Sequence, residues 1–162
     1  MRPLGRAFVE RTIKEHPPLG PVYEFGSFKV PGQEDLADLR SLFPGFVYVG
    51  SDMRPGPGVD LLLNLEDIKL QSNSLGTVIC IDTLEHVQDV KKAVDELHRV
   101  LKPGGLCIIS SVMNFPIHEH PSDYWRFTPF AFAWLLRNFA QRGISFDGDA
   151  RFPIGVYGWA IK

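Results

Sequence analysis

Short apolar runs that close on a carboxylate, each set off by segments of helical periodicity, constrain this chain more than any other feature. Thr77-Val-Ile-Cys-Ile-Asp82 and Val47-Tyr-Val-Gly-Ser-Asp52 are the clearest two. Neither shows the apolar–polar alternation of a half-solvated strand, so both read as strands covered on two faces. Between Thr77 and the apolar run Leu106 to Val112 lies a segment of different period. Val90, Ala93, Val94, Leu97, Val100 and Leu101 recur at three- and four-residue steps and draw one apolar stripe along a helix. Asp89 can cap its start, and Lys102-Pro103-Gly104-Gly105 closes it. Strand, helix, strand in this order is the unit of a parallel sheet.

The same alternation extends in both directions. Val22 to Phe25 reads as a first strand, and Gln33 to Phe43 as a helix with Leu36, Leu39 and Phe43 on one side. Val59 to Leu63 reads as the third strand, ahead of the run that ends at Asp82. A leading helix is expected over Ala7 to Lys14, with residues 1–20 forming that helix and a linker. Thr128-Pro129 should open a late helix, Thr as N-cap and Pro in the first turn, with Phe132, Leu135, Leu136 and Phe139 inward and Gly143 at its end. Two last strands are expected near Ile144 to Phe152 and Val156 to Ile161. The expectation is an α/β fold: a doubly wound, seven-stranded, mostly parallel sheet with helices on both faces. All 162 residues are assigned to a single domain.

Composition narrows the partners. Seventeen Lys and Arg against nineteen Asp and Glu give a charge of −2, which argues against a general nucleic-acid binder. No apolar run approaches the roughly 18 residues that cross a bilayer. The start of the chain lacks the apolar stretch of a secretory signal. Cys80 and Cys107 sit inside apolar runs and read as buried, reduced thiols, so a cytoplasmic location is expected.

Ligands of doubly wound sheets lie beyond the carboxyl ends of the strands, so the residues there carry the functional reading. Glu24-Phe25-Gly26 ends the first strand, and Gly26 permits close approach of a ligand to backbone. Asp52 ends the second, where an acid accepts hydrogen bonds from ribose hydroxyls, and Asp82 ends the fourth. Three acids on one sheet edge suit a cationic ligand. No Gly-x-Gly-x-x-Gly follows the first strand, which disfavours a nicotinamide cofactor.

These segments carry a resemblance. Glu24-x-Gly26, Tyr48 to Asp52, Asn64-Leu-Glu-Asp-Ile68, Asn73-Ser74, Ile81-Asp-Thr-Leu-Glu-His-Val87 and Leu97-His-Arg-Val-Leu-Lys-Pro-Gly-Gly105 resemble the successive motifs of class I S-adenosylmethionine-dependent methyltransferases, the small-molecule type 11 group in particular. The resemblance runs from about Val22 to Phe139. It implies a Rossmann-like fold, S-adenosylmethionine as cofactor with S-adenosylhomocysteine as product, and a small-molecule acceptor. It implies that Glu24 and Gly26 hold the methionine end, Asp52 the ribose and Met53 the adenine face. Asn64 and Leu65 would meet the adenine edge, and Asp82 and Thr83 would line the sulfonium region.

The chain departs from the pattern in two places. Phe28 stands where the family has a second glycine, with Lys29 beside it as a candidate partner for the cofactor carboxylate or, more simply, a loop lysine. Met53 to Gly58 replaces a helix and is expected to be a plain connection rather than a pocket wall. After the fifth strand, the segment Phe115 to Pro129 should overhang the substrate. His118, His120 and Asp123 lie in it, but His-x-His without further ligands is a poor metal signal, and no metal is expected. Trp125 and Phe127 are expected to anchor the next helix. Methyl transfer needs a general base only when the nucleophile arrives protonated; His86, then His118 and Tyr124, are the candidates. A non-catalytic cofactor-binding or interaction module that retains the fold is the alternative reading.

Overall fold

The computed structural model describes residues 2–30, 32, 34–118 and 122–162. Among these, seven strands form one sheet in the order β3-β2-β1-β4-β5-β7-β6. They are β1 (Val22–Phe25), β2 (Tyr48–Asp52), β3 (Leu61–Leu62), β4 (Leu75–Cys80), β5 (Leu101–Val112), β6 (Gln141–Asp149) and β7 (Phe152–Ile161). β1 runs parallel to both β2 and β4, and β4 to β5. β7 is antiparallel to β5 and β6, so it alone is reversed. The chain winds outward from β1 in one direction and from β4 in the other. That reversal opens a crevice at the carboxyl ends of β1 and β4.

The unbroken apolar runs bury both of their faces. Val78 and Cys80 of β4, with Cys107 and Ile109 of β5, pack on α3 (Val90–Val100) and α4 (Pro129–Leu135). Their neighbours Ile79, Ile81, Leu106 and Ile108 face the other way, onto Phe8 and Val9 of α1 (Pro3–Glu15) and onto Leu39 and Phe43. Both cysteines are buried free thiols, and burial pushes Cys107 up to about 12. Asp89 caps α3 by accepting from the Lys92 N–H at 3.0 Å, and Thr128 caps α4 by accepting from that of Ala131 at 3.1 Å.

Several expected elements differ. The helix expected over Gln33 to Phe43 is α2 (Glu34–Ala37) followed by a separate 3₁₀ turn at Arg40–Leu42; Gln33 itself lies outside the described residues. Asp38 breaks it: its carboxylate accepts from the Arg40 backbone N–H at 3.0 Å and from Lys29 at 2.6 Å, an alternative to the helical ladder. The leading helix begins at Pro3 rather than Ala7, with proline at its first position. α4 stops at Leu135, and Gly143 lies inside β6, where the Trp159 indole covers the space a side chain would take. The third strand shrinks to two residues, since Val59 and Asp60 turn back onto Gly56 and Gly50.

Among the described residues, neither the β2–β3 nor the β3–β4 connection contains a helix. Arg99 and Glu96 of α3 stand in for one. Arg99 donates to the carbonyls of Ile68 and Leu70 at 2.7 and 3.0 Å, and Glu96 accepts from the Ile68 N–H at 2.8 Å. Backbone groups that a helix would pair internally are thereby satisfied from the side.

Candidate functional site

A cavity of about 880 Å³ opens at the carboxyl ends of β1, β2 and β4. Its first wall is the turn after β1. The N–H groups of Gly26 and Ser27 both donate to the Ser51 carbonyl, at 2.8 and 3.0 Å, which folds the turn across the end of β2. Gly26 has φ +83, and any side chain there would overlap that of Thr83. Glycine is therefore required both by its backbone angle and by the close approach.

Three acids stand on this rim. Glu24 is buried and accepts a 2.6 Å hydrogen bond from the Tyr48 hydroxyl. Burial pushes its carboxyl up to about 7 against that bond, and the same burial and the facing carboxylate push the Tyr48 phenol up. Asp52 accepts from the Arg54 N–H at 2.9 Å, which fixes its carboxylate at the end of β2. Asp82 lies two residues beyond β4 with φ +47, a conformation Asp tolerates better than most side chains. Ser110 donates to it at 2.9 Å, and Arg2 reaches it from the chain start through both its backbone N–H, 3.1 Å, and its guanidinium, 3.2 Å.

Apolar and polar walls complete this end. Met53 lines the cavity although 62% exposed, Leu65 lines it from a buried position, and Asn64 contributes its edge. The Asn64 side-chain oxygen is occupied by the Glu66 N–H at 2.9 Å. The cavity brings together all eight residues expected at a cofactor: Glu24, Gly26, Asp52, Met53, Asn64, Leu65, Asp82 and Thr83.

The two departures from the family pattern meet here. Phe28 also lines the cavity; its ring presses on Gly56 and lies beneath the Arg54 guanidinium, 4.7 Å from the ring centre. The Met53–Gly58 connection is therefore more than a link. Met53 and Arg54 face the cavity, and the Pro57 and Gly58 carbonyls accept from the Lys29 N–H and the Ser27 hydroxyl. Lys29 pairs with Asp38 at 2.6 Å instead of pointing to a ligand.

The far end is formed by the 3₁₀ turn Leu84–His86 and the segment after β5. Tyr124 and Trp125 donate their backbone N–H groups to the Glu85 carbonyl, at 2.7 and 3.3 Å, and the Trp125 indole donates to the Val87 carbonyl at 2.8 Å. Phe127 is buried against Phe132, the expected anchor, whereas Trp125 remains 47% exposed. His86, His118 and Tyr124 all line the cavity. The His86 Nδ1 lies 2.6 Å from the Ser122 carbonyl, and His118 packs edge-on against His86. Tyr124 accepts from the Gln88 amide at 3.0 Å; hydrogen bonds from Ser122 and Gln88 hold its phenol below the ordinary range. Asp123 forms a fork with Arg126 at 2.5 and 2.7 Å, which holds its carboxyl well below the usual range. His120 lies outside the described residues.

Arg2 and Glu85, both in the cavity wall, carry no role in the sequence reading. Arg2 is tied to an acid 80 positions away, so nothing local announces it. Glu85 left a signal: an acid between Leu84 and Val87, directly before a histidine. It is fully buried, burial and the nearby Asp82 charge push it up to about 7, and Ser111 donates to its Oε2 at 2.6 Å.

The residues at the β1–β2–β4 end fit S-adenosylmethionine. Three strand-end acids give the rim the negative charge that a cationic ligand with a ribose would meet, Gly26 keeps the β1 turn close to Thr83, and Met53 and Leu65 supply apolar surface. Residues 45–109 match the family model "Methyltransferase domain". The ubiquinone/menaquinone biosynthesis C-methyltransferase UbiE of Brucella canis is 33% identical over 66 residues, 40% of this chain and 24% of the relative. The match thus spans about a quarter of the length of the curated relatives. A SAM-dependent methyltransferase from Archaeoglobus fulgidus superposes with TM-score 0.74 at 15% identity, covering 100% of this chain and 95% of the other. The 1,6-didemethyltoxoflavin-N1-methyltransferase of Burkholderia thailandensis, solved with S-adenosylhomocysteine, superposes with TM-score 0.70 at 14% identity, covering 98% and 76%. Residues 45–109 thus match a methyltransferase domain, and the fold around them is the one seen in solved S-adenosylmethionine-dependent methyltransferases.

Proposed function

We propose that this chain transfers a methyl group from S-adenosylmethionine to a small-molecule acceptor. One observation carries the reading: the eight cofactor candidates on the strand ends and the three candidate bases beyond them share one continuous cavity. The cofactor supplies a methyl group activated by a sulfonium. Asp52 takes the ribose hydroxyls and Glu24 the ammonium end, which draws its carboxyl toward the charged form. Met53 packs on the adenine face, and Asn64 and Leu65 meet its edge. Thr83 and Asp82 flank the reacting centre, and Gly26 keeps the approach open.

Alignment then does most of the chemical work, since the leaving thioether is neutral. An acceptor that arrives protonated gives its proton to the cavity's far end, where His86, His118 and Tyr124 lie. Among the described residues the cavity wall holds no basic tract that would favour a polyanion, and no described helix is long and apolar enough to cross a membrane. Buried thiols suit a reducing compartment, and we assign the chain to the cytoplasm.

The Arg2–Asp82 pair supports a second reading, a cofactor-binding or interaction module without transfer, because it occupies an acid at the proposed reacting centre. Thermal melting separates these. S-adenosylhomocysteine, and not NAD, should raise the melting temperature, and radiolabelled methyl should pass to a small-molecule extract. No shift sinks the transfer reading and leaves only an interaction module; a shift without transfer, in wild type and in Arg2→Ala alike, favours a cofactor-binding module.

A further inference from the structure

At the far end of the cavity the buried Glu85 stands apart from the other acids. Its side chain is fully buried, and while Oε2 accepts from Ser111, Oε1 accepts no hydrogen bond among the described residues. Among the described residues, the Nε2 of His118 lies 3.8 Å from it, beyond hydrogen-bonding reach. An unpaired buried carboxylate oxygen is costly, so its position calls for a ligand.

The surroundings indicate which one. One ligand atom each from Glu85, His86 and His118 fall within 4.8 Å of one another. Ligands about 2.1 Å from a common cation sit roughly 3 to 4 Å apart, so closure asks only for small side-chain rotations. Each member is also held by a partner outside the group. The His86 Nδ1 faces the Ser122 carbonyl at 2.6 Å, and the His118 Nδ1 faces Asp123 and the Pro116 carbonyl, both at 3.2 Å. Donation from Nδ1 selects the tautomer with its lone pair on Nε2, the form that ligates a metal. Ser111 fixes the carboxylate, and Arg126 fixes Asp123.

We propose that Glu85, His86 and His118 form a binding site for one divalent transition-metal ion at the acceptor end of the cavity. Two imidazoles and one carboxylate suit a first-row ion such as manganese, iron, cobalt or zinc better than magnesium or calcium. Three protein ligands leave positions open toward the cavity. Resting on the methyl-transfer reading, those positions select acceptors that present adjacent oxygen donors; with the metal bound both imidazoles are engaged, and Tyr124 is the remaining candidate to take the acceptor's proton. The sequence alone sets metal aside because His118 and His120 lack further ligands nearby. The fold supplies them from a turn some thirty residues earlier, so a pattern search within the segment finds nothing.

Cobalt(II) titration of the chelator-treated chain tests this, read by visible d–d absorption and by calorimetry. One equivalent should saturate, and Glu85→Gln and His118→Ala should each weaken binding about tenfold or more. Glu85→Gln keeps the volume of the buried side chain, so it reports on ligation even if His118→Ala alters the loop. Absence of saturable uptake by wild type, or less than about tenfold weakening in a variant whose circular dichroism matches wild type, overturns the proposal. A parallel titration with S-adenosylhomocysteine keeps the two readings distinct. Cobalt uptake without that binding leaves the metal site standing and removes the methyl-transfer reading; the converse does the reverse.

Discussion

The two ends of the cavity are built by different means. At the β1–β2–β4 end, each functional residue sits at or just beyond a strand terminus, and the register of parallel strands puts Glu24, Asp52 and Asp82 on one rim. At the far end, Glu85 and His86 meet His118, Ser122 and Tyr124 only because the segment after β5 folds back onto the turn after β4. The first end is a property of the sheet; the second is a property of loop-to-loop docking. A sheet edge follows from periodicity, and a docked loop does not.

That difference governs what could be read in advance. The apolar runs and the stripe from Val90 to Leu101 disclosed the sheet and α3, because burial on two faces leaves a pattern in every residue. The acids were legible because a strand has a definite end. Asp38 was not, since one side chain capturing Lys29 and the Arg40 N–H redirects a helix without disturbing its apolar spacing. Arg2 and Glu85 escaped for a related reason: their partners Asp82, Ser111 and His118 are 80, 26 and 33 positions away.

Four perturbations bear on the contrast, beginning with the largest. Gly26→Val forces a β-branched residue to φ +83 against Thr83. It should abolish S-adenosylhomocysteine binding and lower stability by about 1–3 kcal/mol in urea unfolding. Unaltered binding would mean that the β1 turn is no cradle. Asp52→Ala should weaken the same ligand by roughly 1–3 kcal/mol on calorimetry, while leaving cobalt uptake at the far end intact. If both fall together, the two ends are one cooperative unit and the contrast drawn above fails.

Glu24 gives a pH test. Its folded carboxyl titrates near 7, above the value near 4.5 of an open chain, so the fold favours the neutral acid. Stability from this group is complete below about 4.5 and is lost as pH rises through about 7. Glu24→Gln cannot ionise and should be more stable than wild type at pH 8 by about 1–3 kcal/mol, with the advantage absent at pH 4. Equal melting behaviour at both pH values would place the carboxyl in a wetter site. Lys29→Ala should do least: it breaks a partly exposed pair with Asp38, costing about 0.5 kcal/mol, and should leave cofactor affinity unchanged. A large loss of affinity there would return Lys29 to the cofactor site.

The central claim is that the cavity over the ends of β1, β2 and β4 receives S-adenosylmethionine. Isothermal titration of the wild-type chain with S-adenosylhomocysteine addresses it most directly. One saturable site, tighter than that of Asp52→Ala, is the predicted result; no binding at high micromolar ligand contradicts the account.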